Sequence, residues 1–426
     1  TGVQTCALPI CNREHVLGLL EIHDGEVQTG AGELFLDWGA VVRARSTGAP
    51  GAAISGRVKL PYADRNVPFE MLEGPVSPAL RVYATILGDG GLLKRGPAGL
   101  DLWGSNTFNG PLIVAQGDVL VAHDHALGAT AGGTVVSHGA SLVLASVAIG
   151  NEPLSLAGPG DSAYGALWSG NSLQASWSGP ITLAADATVG VIGTNGQLTL
   201  AGRITGPGGL TKVGDGTLIF SGSATNDYAG DTRVHEGTLR LAKTGTAKAI
   251  SHGTLYIGDG VGGEFADRVV WDDYWQISEF VNDPIFPYEK GRVPVVIQPS
   301  GWMHLNGYHD VVLRLTLHAG RVDTGAGTLC LDGDVRADST ATNMALIEGN
   351  LSLIPLPYTL IATNRTVEVA GTNSLLGIRA QISGTFAGLR KTGTGRLSLS
   401  GANDYSQETV VSAGVLSITS GRALGG

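Results

Sequence analysis

Residues 209–241 read GLTKVGDGTLIFSGSATNDYAGDTRVHEGTLRL, and the pattern occurs twice more in altered form. Residues 91–121 read GLLKRGPAGLDLWGSNTFNGPLIVAQGDVLV, and residues 388–418 read GLRKTGTGRLSLSGANDYSQETVVSAGVLSI. An ALG triplet follows the first copy at 126–128 and the third at 423–425. Within each copy apolar residues alternate, as in TLIF and TLRL, and the run closes on Gly, Ser, Asn or another turn former. That is the mark of a short strand. Leu218 and Leu239 are 21 residues apart and Leu397 and Leu416 are 19 apart, so equivalent strands return at near-constant spacing.

A second repeat is independent of the first. HVLGLLEIHDGEVQTGAGELFLD from His15 to Asp37 aligns without a gap on DVVLRLTLHAGRVDTGAGTLCLD from Asp310 to Asp332, sharing TGAG at 29–32 and 324–327. The chain therefore reads as tandem copies of a larger module. No sustained 3.6-residue pattern competes, so helices are expected to be few and short. A propeller blade needs roughly 40 to 50 residues and a sandwich roughly 90 to 100, and neither matches a strand returning every twenty or so. The spacing predicts an all-β chain, a right-handed parallel β-helix in which inward side chains stack in columns. At about twenty residues per turn this gives on the order of twenty turns and a rod on the order of 90 Å.

Composition agrees. Glycine numbers 65 in 426 residues and charged residues make up only 15%, which suits many tight turns between short strands. The net charge of −10 and the lack of a basic stripe exclude a nucleic-acid partner. No apolar run reaches the length of a membrane helix, and no signal peptide opens the chain, both of whose ends read as cut. Of three cysteines, Cys6, Cys11 and Cys330, none forms a CxxC pair; Cys330 in TLCLD is expected to be a packed core residue.

The motif residues Gly209, Leu210, Lys212, Gly214, Gly216, Leu218, Gly222, Asn226, Tyr228, Gly230, Thr232, Val234, Gly237 and Leu239 closely resemble the autotransporter-associated β-strand repeat of type V secretion passengers. The third copy keeps thirteen matching positions, from Gly388, Leu389 and Lys391 to Asn403, Tyr405, Thr409 and Leu416. The first departs at Phe108, at Leu112 and in one extra residue between Gly96 and Gly99, and the third carries Gln407 in place of glycine. The resemblance implies a non-enzymatic structural or adhesive passenger, a stalk on the surface of, or secreted from, a Gram-negative type bacterium. It implies host or environmental glycans or cell surfaces as partners, and a membrane only through a C-terminal translocator or anchor outside this sequence. In the motif itself, Asn226 is expected to satisfy loop backbone groups and Tyr228 to cover the end of the core.

The array is expected to run continuously over 12–426. TGVQTCALPI, at residues 1–10, resembles translated sequencing-adapter read-through, and the module match fails before His15, so residues 1–11 are expected to be a non-native leader.

No catalytic, cofactor-binding or metal site is expected. Ser162 in GPGDSAYG resembles the nucleophile block of GDSL esterases, but no DxxH follows, and a glycine-rich turn is the reading. GDGVGG at 258–263 matches GxGxxG by letter without a helix to follow, and is read as a turn. His123, Asp124 and His125 make an incomplete metal site, and His23 and His318 recur through duplication. The irregular stretch WDDYWQISEFVNDPIFPYEK at 271–290 is expected to form a protruding loop and to be the first place to look for a ligand. Its Asp272, Asp273, Glu279 and Asp283 are the carboxylates that the alternative, a β-helix polysaccharide lyase or hydrolase, would use.

Overall fold

The computed structural model describes residues 14–48, 51–170, 173–281, 288–339, 343–354 and 363–425; the leader at 1–11 and Asp283 lie outside these. The chain divides into two units, Thr1–Gly208 and Gly209–Gly426, and each is a stretch of parallel β-solenoid. Among the described residues there is no helix.

In the second unit one ladder runs Leu210–Val213, Thr232–Val234, Leu255–Ile257, Pro294–Ile297, Arg314–Leu317 and Val335–Ala337, each strand pairing in parallel with the next. A second ladder runs Thr217–Gly222, Gly237–Lys243, Asp267–Trp271, Gly301–His304, Arg321–Asp323 and Ala345–Glu348. A third face is built by Asp310–Val312, Leu329–Leu331, Asn350–Ser352 and Gln381–Ser383. The first unit is wound in the same way, with Asn66–Met71, Gly91–Arg95, Leu112–Val114 and Thr134–Val136 stacked on one face and Leu80–Val82, Leu100–Leu102, Gly117–Val121 and Ala140–Leu144 on another.

Alternation decides which side chains enter the core. Leu218 lies over Leu239 and Leu239 over Val269, all fully buried, while Ile219 and Arg240 between them point outward. Leu397 is buried as well; Leu416, paired on Leu397, is only half-buried, because it lies in the last described turn and has a neighbour on one side alone. Cys330 is buried on the third face. Burying a leucine in such a column contributes roughly 1.5 to 3 kcal/mol, and the columns are the main source of cohesion between turns.

The winding has about 16 turns, fewer than the spacing suggested. Several turns carry insertions: Leu239 pairs with Val269, thirty residues on, and Val269 with Met303, thirty-four on. The longest of them contains the irregular 271–290 stretch, where Ser278–Val281 and Tyr288–Gly291 form an antiparallel pair.

Candidate functional site

The repeated motif places its polar residues inside. Lys94, Lys212 and Lys391 are fully buried. Each ammonium donates to carbonyls of its own turn and of the following one: Lys94 Nζ to Gly96 O (2.7 Å) and Gln116 O (2.6 Å), Lys391 Nζ to Thr392 O, Gly393 O and Ala413 O (2.6, 2.8 and 3.1 Å). Lys212 Nζ donates to Val213 O, Gly214 O and Glu236 O. Burial pushes Lys94 down to about 8 and Lys212 down to about 7, against the upward pull of nearby carboxylates. The glycine that follows in the next turn, Gly117, Gly237 or Gly414, has φ near +70°, and a Cβ there would meet carbonyls of the previous turn. Only glycine fits that close approach.

Asn106, Asn226 and Asn403 form a second bracket. Asn106 Oδ1 accepts from Ile86 N (2.8 Å) and its amide donates to Ala126 O (2.6 Å); Asn403 likewise joins Ile382 N (2.8 Å) to Ala423 O (2.6 Å). Asn226 donates to Ala249 O (3.0 Å). The ALG triplets thus supply the acceptor for the asparagine one turn back. Tyr228 and Tyr405 are buried and share a 2.5 Å hydroxyl contact with Thr232 and Thr409; in the first copy Phe108 and Leu112 replace both hydroxyls together. Thr29 and Thr324 of the TGAG turns act alike too, accepting from Arg57 N (2.8 Å) and Asn350 N (2.7 Å).

The structure leaves the individual candidates apart. Ser162 is exposed and its hydroxyl accepts from Tyr164 N at 3.4 Å. Asp124 caps Ala148 N (2.7 Å), His123 Nδ1 accepts from His125 N, and among the described residues no group of three or more metal-ligating side chains gathers. His23 meets Glu21, and His318 meets Asp338. Asp272 is held by both donors of Arg240 (2.7 and 2.5 Å), Asp273 caps Tyr274 N (2.8 Å), and Glu279 pairs with Arg292. The stretch is organised instead by a carboxylate that sequence reading passed over: buried Asp310 accepts from Trp271 Nε1 (2.7 Å), Gln276 N (2.6 Å) and Ile277 N (3.0 Å).

A concave site does exist, on the second unit. The outward residues Arg268, Trp302, Arg321 and Leu346 stand in register on successive strands. Phe265 packs on Trp302 with ring centroids 5.7 Å apart, and the Arg321 guanidinium lies 5.6 Å from the Phe265 ring and 5.8 Å from that of Trp302. Arg321 is also paired with Glu348 (2.5 Å) and lies 3.5 Å from Asp323. Between this surface and the 258–266 turn is a cleft of about 400 Å³ lined by Glu264, Phe265, Arg321, Asn343, Met344 and Leu346 among others. The turn is braced: Ser300 Oγ accepts from Gly260 N (2.9 Å), and Arg268 Nε donates to Phe265 O (2.9 Å). Asp267 behind it is buried and, chiefly for that reason, pushed up to about 6. GDGVGG lies in the turn that its glycines predict, but nothing in its letters announces the cleft, whose walls are brought together by a 34-residue turn and the 19-residue turn after it.

Solenoid and brackets together define a class, the parallel β-helix built from a repeat with interior polar brackets. Residues 210–241 and 389–418 match the passenger-associated-transport-repeat family. The adhesin BmaC autotransporter of Brucella suis biovar 1 (strain 1330) is 38% identical over 110 residues, covering 24% of this chain and 3% of that protein. The chain is thus an autotransporter passenger-like β-helix that spans a small part of its relative's length. No solved structure matches it.

Proposed function

We propose that this chain is a non-enzymatic structural and adhesive segment, a stalk carried on the surface of, or secreted from, a Gram-negative bacterium. The observation that carries the reading is that the repeated polar residues face inward: lysine and asparagine join one turn to the next, and the tyrosine–threonine pair satisfies itself within its own turn. The described carboxylates that an enzyme of the polysaccharide-cleaving kind would need are spread over separate ion pairs and caps. The relative's name, an adhesin, fits the same role. The test is paired: purified protein is assayed for retention on epithelial cells and mucin-coated surfaces, and for turnover of esters and polysaccharides. Retention without turnover is expected. Turnover abolished by Ser162→Ala, or by Asp272→Asn, would replace the stalk with an enzyme.

A further inference from the structure

We propose that the cleft of the second unit binds one or two rings of a neutral sugar chain, with Phe265 as the platform and Glu264 and Asn343 as the polar contacts. The inference rests on the adhesive reading and names its ligand class. At about 400 Å³ the cleft falls within the range of small-molecule sites. Its lining is mixed: Phe265, Met344 and Leu346 offer apolar contact, while Glu264 and Asn343, both exposed, offer an acceptor and a donor. A sugar ring has the same division, with C–H groups on one face and hydroxyls around the rim.

Charge argues for a neutral ligand. Arg321 already faces Glu348 and Asp323, and Arg268 is turned onto Phe265 O and the Trp302 ring, so a carboxylate or sulfate would have to compete for a cation already engaged. Two non-glycine residues of the lining, Phe265 (φ +61°) and Ala319 (φ +96°), are held in the left-handed region. Strain of this kind persists where surrounding contacts enforce it, and it clusters at ligand sites; at Phe265 the Arg268 bond to its carbonyl helps to hold the turn.

The experiment is saturation-transfer difference NMR on the purified chain with lactose, cellobiose and N,N′-diacetylchitobiose, with 3′-sialyllactose as the acidic comparator and titration to obtain affinities. At least one neutral disaccharide should receive saturation, with affinity at least tenfold weaker in Phe265→Ala and in Glu264→Gln and unchanged in Tyr83→Ala, an exposed aromatic on the first unit. Glu264 is exposed, so its variant reports binding even where Phe265→Ala perturbs the fold. No transfer to any neutral sugar, tighter binding of the sialylated one, or binding that survives both cleft variants would overturn the proposal. If cells still retain the protein in any of those cases, the cleft fails and the adhesive reading stands; if retention is lost too, both fail.

Discussion

Tyr228 and Thr232 bury two hydroxyls that satisfy each other across four residues, and the first repeat copy fills the same space with Phe108 and Leu112. Both arrangements are stable because neither leaves a polar atom orphaned; a mixture would. Tyr228→Phe and Thr232→Val should therefore each cost about 1 to 2 kcal/mol in equilibrium denaturation, while the double change Tyr228→Phe with Thr232→Val should return to within about 1 kcal/mol of the parent. Costs that simply add would show that the hydroxyl contact contributes nothing. The asparagine bracket was legible in the sequence, because an invariant amide between turn residues has few roles other than satisfying backbone. The lysine was not. A lysine followed by glycines reads as a solvated charge, and the carbonyls of Gln116, Glu236 and Ala413 that complete its cage lie 22 to 24 residues along the chain.

At the level of the strand, position in the column sets the worth of a side chain. Leu218 is fully buried over Leu239, so Leu218→Ala should cost about 2 to 5 kcal/mol; Leu416→Ala, at a half-buried position covered from one side, should cost under about 1.5 kcal/mol. Thermal melts of the two variants check this, and equal losses would mean that Leu416 is covered as fully as Leu218. Strand identity and inward face were readable from TLIF, TLRL and RLSL, since period two leaves no ambiguity. Turn length was not, because insertions such as the one between Leu239 and Val269 lengthen a turn without altering its strands. The cleft escaped for the same reason: Phe265, Trp302 and Arg321 carry no spacing signal and meet through the 258–266 turn and the register of the strands beside it.

Across the chain, the repeated motif is interior bracketing of a parallel solenoid, in which each turn depends on its immediate neighbours. Damage to one bracket should then stay local. Removing the ammonium in Lys212→Met orphans Val213 O, Gly214 O and Glu236 O, a local loss of about 2 to 4 kcal/mol. The most direct test is amide hydrogen exchange over the full chain of Lys212→Met, with Ser162→Ala as control. Exchange should be faster by roughly 30- to 1,000-fold in residues 210–257, unchanged at 389–418, and unchanged everywhere in the control. Uniform loss of protection along the chain, or a Lys212→Met chain protected like its parent, would contradict it.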